Sequence, residues 1–369
     1  MKLSLSVLML ATLASAIPAS SDNLPKIAVV GLVHSHVWGH LREMTSGKSV
    51  QLVGLSEPNP ALVAEAEKSG VPRSLFFPDY RKMLDEAKPD IVWAFVENNR
   101  HLEIAQACAP RHINVMFDKP LSSTYADALK IRDLAKQYGI RVLTNYQMAW
   151  WPANYTAKAA VDRGHIGTVF RLHGIVGHGG PGSEGPRNQY FFAWLTDPVQ
   201  NGAGALMDFG CYNVLWSLWY LGLPESVYAS ANHLRPERFP KVEDNATIVL
   251  NYPKAVGIFE GSWDLPRSFQ DLDVLGTAGS LHMNHAGVEL TKGRSQTMQV
   301  SPVELNGDGA DPLAYMASRI RSNGAVEGLT AIDINVEVIH LIELAKESIR
   351  TGKAIRVPAE STSFSSARK

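Results

Sequence analysis

The sequence predicts two domains in series: a doubly wound parallel α/β sheet, then an α+β domain built on a large, open, mostly antiparallel sheet. Three features carry this expectation. Up to about residue 145, short apolar runs alternate with helix-like stretches at the spacing of βαβ units. Beyond about residue 150, strand-like runs follow one another with turn signals between them. A long helical pattern then closes the chain before Gly352.

Taken in order, Lys26–Val30 is an apolar run ending at Gly31, as expected of a strand buried on both faces. A helical pattern follows into the early forties. Val50–Leu55 reads as the second strand and Pro60 to about Ser69 as the second helix. Asp90–Val96 is a third strand, followed by a helix from about His101 to Ala109. Ile113–Phe117, a helix over about Tyr125–Tyr138, and Arg141–Thr144 complete the first domain, assigned to residues 25–146. In the second, assigned to 147–357, the strand-like runs are Val169–Gly177, Ser226–His233, Ala246–Tyr252, Ala255–Trp263, Gln270–Gly276 and Ser280–Asn284. A single helix is expected over about Gly204–Leu221, and a long final one from Ala331 to Arg350. Residues 358–369 are Ser-rich and read as a disordered tail.

The 369 residues are 45% hydrophobic and carry 35 Lys plus Arg against 36 Asp plus Glu, a balance that points neither to nucleic acid nor to an anionic membrane. Residues 1–16 have the form of a secretory signal: Lys2, an apolar run over 3–13, then Ala14-Ser15-Ala16 as a small-x-small cleavage site. The run is too short to span a bilayer, so the expectation is an exported protein, periplasmic or extracellular, with no membrane span. Cys108 and Cys211 lie in apolar helical contexts in different domains and read as buried free thiols. Asn154 and Asn245 begin glycosylation sequons.

The turn after the first strand is where this sheet type holds a pyrophosphate, over a Gly-x-Gly-x-x-Gly loop. Here it reads Gly31-Leu-Val33-His34-Ser35-His36: the first glycine is present, and Val33 and His36 take the other two places. His34 and His36 could partly replace the lost backbone approach by donating hydrogen bonds to phosphate or ribose. With His40 they could instead ligate a metal, a reading set aside because no carboxylate or cysteine joins them locally. Glu57 ends the second strand, where an acidic residue accepts bonds from an adenosine ribose and repels a 2′-phosphate, favouring NAD over NADP. Asp118-Lys119-Pro120 follows the strand Ile113–Phe117.

At Asp118-Lys119-Pro120 the sequence resembles the Gfo/Idh/MocA oxidoreductases, whose Glu-Lys-Pro tripeptide stands at this point of the Rossmann domain. Further marks occur in the same order: Asn98-Asn99-Arg100-His101 beside the nicotinamide, Asn145-Tyr146 at the domain crossover, Gly202–Tyr212 with Asp208 kept, and the Gly276–Gly279 turn. Tyr212 stands where His is commoner, as in glucose–fructose oxidoreductase. The resemblance implies Lys119 near the reacting carbinol, often before a cis proline, with Tyr212 as acid/base and Asp208 positioning substrate. It implies NAD contacts from Gly31, His34, Ser35, His36, Glu57, Asn98, His101, Asp118, Lys119 and Asn145, and commonly a homodimer or homotetramer built on the open sheet. On one helix, Asp208 and Tyr212 at i and i+4 would face the same cleft. Trp150, Trp151 and the aromatics of Tyr190–Trp194 could stack on sugar rings or pack the core. The Gly/Pro-rich stretch from His178 to Arg187 reads as a substrate loop.

Two functions follow. In the first, an exported NAD-dependent carbohydrate oxidoreductase moves a hydride from a secondary alcohol carbon, its cofactor held tightly and recycled, either between two sugars or by transient oxidation. In the second, a carbohydrate lyase, hydrolase or binding protein has lost the nucleotide, as the missing glycines allow, with or without a metal gained at His34 and His36.

Overall fold

The computed structural model describes residues 24–293, 296–305 and 307–358; the signal-like segment 1–16 and the tail beyond 358 lie outside them. The first half alternates β1 (Lys26–Val30), α1 (Val37–Thr45), β2 (Gln51–Ser56), α2 (Pro60–Lys68), β3 (Phe76–Phe77), α3 (Tyr80–Ala87), β4 (Ile91–Ala94), α4 (His101–Cys108), β5 (Asn114–Asp118), α5 (Tyr125–Tyr138) and β6 (Val142–Asn145). The strands form one parallel sheet in the order β3-β2-β1-β4-β5-β6. This is the Rossmann order, with its switch point between β1 and β4, where ligands of doubly wound folds bind. Helices cover both faces, and β4 and β5 are buried at every residue, which is why they read as continuous apolar runs.

The second half runs α6 (Pro152–Asp162), β7 (Val169–Gly177), α7 (Pro186–Leu195), α8 (Ala205–Asp208), α9 (Gly210–Leu221), β8 (Ser226–Asn232), β9 (Asn245–Asn251), β10 (Val256–Ser262), β11 (Phe269–Gly276), β12 (Gly279–Asn284), β13 (Gly287–Lys292), β14 (Gln296–Gln299), α10 (Pro312–Arg321), α11 (Ile332–Thr351) and β15 (Ile355–Arg356). Its nine strands order as β14-β13-β12-β11-β7-β10-β9-β8-β15, antiparallel except where β7 meets β10. Helix α9 is buried from Gly210 to Leu218. A helix apolar on all sides belongs inside the molecule. There Trp216 Nε1 donates to Asn154 Oδ1 at 2.8 Å. Asn154 is fully buried, so its sequon is closed to modification.

One expected helix is corrected. Gly204–Leu221 is two helices, because the chain bends at Phe209 between α8 and α9. At the start of α8, Gly204 lies against the Glu243 carbonyl, with which an added Cβ would collide. Helices α3, α6, α7 and α10 and strands β13 and β14 are additional to the elements read from sequence. Helix α10 returns to the first sheet, its Leu313 and Met316 packing with Ile27, Leu41 and Trp93. Cys108 and Cys211 are buried free thiols, both pushed by burial up to about 12. No helix among the described residues is long and apolar enough to cross a membrane.

Candidate active site

The loop from β1 to α1 turns at Gly31, whose φ is +82°; an added Cβ would lie 2.5 Å from Val96 Cγ1 and 3.0 Å from the Phe95 carbonyl oxygen. Only glycine fits there, as the first glycine of a phosphate loop requires. Glu57 braces the turn: its Oε2 accepts the Leu32 N–H at 2.7 Å and its Oε1 the Asn59 N–H at 2.8 Å. Burial pushes its pKa up. Beside it lies a cavity of about 400 Å³ whose walls include Pro58, Val63, Arg73, Phe76 and Phe77. Helix α7 lies across the loop. Trp194 Nε1 donates to the Val33 carbonyl at 3.2 Å, and Arg187 bonds Glu65 at 2.9 Å and Ser69 at 3.0 Å with its guanidinium over the Trp38 ring. Arg187 thus ties α7 to α2. The loop expected over His178–Arg187 already becomes helical at Pro186.

His34 and His36 meet the end of β5. His36 Nδ1 donates to Asp118 Oδ1 at 2.9 Å, and His34 Nε2 lies 3.7 Å from the same oxygen. The fold thus supplies the carboxylate that no neighbouring sequence position offers. His40 does not join them; it bonds Glu43 at 3.0 Å and packs on Trp93. His34 is enclosed by Phe191 and Trp194, and burial lowers its pKa to about 3. Ser35 is half-buried between the two histidines. Burial pushes the Asp118 carboxyl up, but the two imidazoles outweigh it and hold it well below the usual carboxylate range.

Lys119 precedes a cis Pro120, and its ammonium is buried. It donates to the Asp208 carboxylate Oδ1 and, at 2.7 Å, to the Asp208 carbonyl. Asp208 Oδ2 accepts from Trp263 Nε1 at 2.9 Å. One carboxylate oxygen of Asp208 thus meets Lys119 and the other Trp263. Burial drives the Lys119 pKa down and that of Asp208 up, but each partner outweighs it, so the lysine is held above its ordinary value and the aspartate below. Tyr212 is brought to the site with a corrected geometry: Lys119 Nζ sits 4.9 Å from its ring centroid, over the face. The bend at Phe209 removes the i, i+4 relation assumed for Asp208 and Tyr212. Burial pushes the Tyr212 phenol far up. His178 packs edge-on against Phe209 at 5.1 Å, and burial lowers its pKa.

The remaining expected residues divide. Asn98 Nδ2 donates to Asn201 Oδ1 at 2.8 Å, while its buried Oδ1 has no protein partner. Asn145 Nδ2 approaches Asp118 Oδ2 at 3.4 Å, and its Oδ1 accepts from Trp150 Nε1 at 2.8 Å. Trp150 therefore acts on the site through Asn145 and packs on Tyr315 of α10. Trp151 packs edge-on against His285 in the β12–β13 turn. His101 is 1% exposed, stacks on Phe117 and donates from Nδ1 to the Leu121 carbonyl at 3.0 Å. Sequence reasoning missed Asn201, Phe209 and Trp263, and it named the aromatics of Tyr190–Trp194 without the helix α7 that carries them, whose one local signal is a proline at its first turn.

Residues 25–146 match a family described as oxidoreductases with an NAD-binding Rossmann fold, and residues 155–282 match the Gfo/Idh/MocA C-terminal domain. Among curated relatives, a D-xylose 1-dehydrogenase (NADP+) of Haloferax volcanii is 26% identical over 80% of this chain and 88% of its own. A levoglucosan dehydrogenase of Pseudarthrobacter phenanthrenivorans is 26% identical over 50% of this chain and 46% of its own. An aldose–aldose oxidoreductase of Caulobacter crescentus superposes with a TM-score of 0.76 at 20% identity, over 90% of this chain and all of that one, which establishes the shared fold.

Proposed function

Because the chain belongs to the Gfo/Idh/MocA oxidoreductase family, we propose that it is an NAD-dependent oxidoreductase acting on a secondary alcohol of a carbohydrate or sugar derivative. The observation that carries the reading is the buried Lys119–Asp208 pair at the carboxyl edge of the Rossmann sheet. The sugar activities of the two curated relatives support the substrate class. The residues present fit a dinucleotide. Gly31 leaves no room for a side chain, the cavity beside Glu57 has apolar walls for an adenine, and the buried Asn98 Oδ1 awaits a donor. Bound there, the nicotinamide supplies the hydride acceptor.

The chain's own residues handle charge and the proton. Lys119 donates a hydrogen bond to the substrate oxygen and stabilises the alkoxide as it develops. Its ammonium is the resting form, since Asp208 raises its pKa. Carbonyl reduction can therefore draw a proton from Lys119 directly, whereas alcohol oxidation requires Lys119 to lose one first. Below that raised pKa the basic form grows tenfold per pH unit. Oxidation rate is expected to climb with pH through the neutral and alkaline range while reduction stays nearly level there. Initial rates in both directions check this; an oxidation plateau near pH 7 would transfer the proton to another group.

Nucleotide choice is set at Glu57. A carboxylate at the end of β2 accepts ribose hydroxyls and repels a 2′-phosphate, so NAD+ is favoured. Arg73, which lines the same cavity, is the feature on which an NADP reading would stand. Purified protein, denatured in acid, is expected to release NAD(H) identifiable by mass, and Glu57→Ser to narrow the preference for NAD+ about tenfold or more. Release of NADP(H), or tighter NADP+ binding by the unaltered protein, would reverse the assignment. An exported enzyme meets little free nucleotide, so retention through purification supports a cycle that oxidises one sugar and reduces another. Activity should be sought first on D-xylose, levoglucosan and related aldoses.

A further inference from the structure

Asp118 is 1% exposed, yet no lysine or arginine among the described residues forms an ion pair with it; the adjacent Lys119 gives its ammonium to Asp208. Its contacts are the Lys119 backbone N–H at 3.0 Å, Asn145 Nδ2 at 3.4 Å and the two imidazoles. A buried carboxylate without a cationic partner is costly. The facing atoms of His34, His36 and Asp118 lie within 4.8 Å of one another. Around a tetrahedral ion bound at roughly 2.0–2.2 Å, ligand atoms stand about 3.3–3.6 Å apart, so small side-chain shifts would close this group around one ion.

We infer that His34, His36 and Asp118 form a site for a divalent transition-metal ion of the zinc type. Two imidazoles and one carboxylate suit a borderline cation; magnesium and calcium prefer oxygen alone. The ligands are held in place from behind. The His34 ring is wedged between Phe191 and Trp194, with centroids at 5.1 and 5.5 Å. Asp118 is steadied by Asn145, itself fixed by Trp150. Such outer partners tune and orient metal ligands. Coordination needs each imidazole in the tautomer that bares its facing nitrogen. His34 gives up the 3.2 Å bond that its Nδ1 accepts from the His36 N–H, and the His36 proton moves from Nδ1 to Nε2. No proton need leave the site. Three protein ligands leave a position open, the arrangement of catalytic rather than structural zinc. His36, 24% exposed, is the partly open member of the group, so the fourth ligand is water or a substrate oxygen arriving there.

His34, His36 and Asp118 are also expected nucleotide contacts, so the test uses nucleotide-free protein and needs no turnover. Chelator-stripped protein is titrated with ZnCl2 and, separately, with MgCl2 by calorimetry, with thermal unfolding followed in parallel. Expected are one equivalent of zinc per chain, a rise in melting temperature, and no response to magnesium. His36→Ala and Asp118→Asn, each checked for folding by circular dichroism, are expected to weaken zinc binding about 100-fold or more, as loss of a direct ligand should exceed the 10–100-fold typical of outer partners. Absence of zinc binding by the unaltered protein overturns the assignment. So does stoichiometric binding that survives in a folded His36→Ala or Asp118→Asn variant.

Discussion

Lys119→Met is expected to lower turnover by about 10²–10⁴-fold while leaving nucleotide affinity largely unchanged, the range typical of removing a positioned acid or base. The Lys119 ammonium is buried against Asp208, Phe209 and Tyr212 at the end of β5. Methionine keeps the apolar stem and removes the charge. The substitution also strands the Asp208 carboxylate, so lost turnover could reflect lost folding. Lys119→Met/Asp208→Asn separates the two: the uncharged pair is expected to recover much of the stability and none of the turnover. The readouts are kcat on a confirmed sugar, nucleotide Kd and urea unfolding. Near-normal kcat in a folded Lys119→Met protein would remove Lys119 from the chemistry and leave the fold assignment intact.

What the sequence disclosed, and what it did not, divides by the range of the interactions. Strands β1, β4 and β5 were legible because burial on both faces writes an unbroken apolar run. Asp118-Lys119 was legible because it closes such a run. Its partners were not. Asp208 lies 89 residues from Lys119, Trp263 a further 55 from Asp208, and Asp118 82 from His36, and no periodicity connects positions so far apart. The histidine loop shows the consequence: read locally it lacked a carboxylate, and the parallel sheet delivers one. Helix α7 was hidden for a different reason. Its stretch PRNQYFFAWL is aromatic without a clear apolar face, since it packs on the loop at Val33 and His34 on one side and on Phe239 on another. The bend at Phe209 has no sequence signal of its own.

Asp208→Ala is expected to destabilise the fold by about 3–5 kcal/mol, the range for removing one partner of a buried ion pair. The lysine would keep the 2.7 Å bond to the Asp208 carbonyl but lose its counter-charge, and Trp263 Nε1 would lose its acceptor. Asp208→Asn should cost less, because the amide retains the shape and an oxygen for one of the two donors. The pH dependence is a separate check. Asp208 has a depressed pKa, so its contribution is present above the unfolded value and is lost as pH falls through the lower folded one. Lys119 has a raised pKa, so its contribution is present below the unfolded value and is lost as pH rises through the higher folded one. Between about pH 5 and about pH 9 both groups stay charged whether folded or unfolded, and the stability gap between the unaltered protein and Asp208→Ala is expected to be level. Asp208→Asn also leaves burial unopposed at Lys119, which lowers the lysine pKa and should shift the rise of the oxidation rate toward lower pH. Urea unfolding across that range, with oxidation rates measured in parallel, checks both. A stability gap near zero would mean that water reaches the pair, and an unshifted pH profile would mean that Asp208 does not set the proton affinity of Lys119.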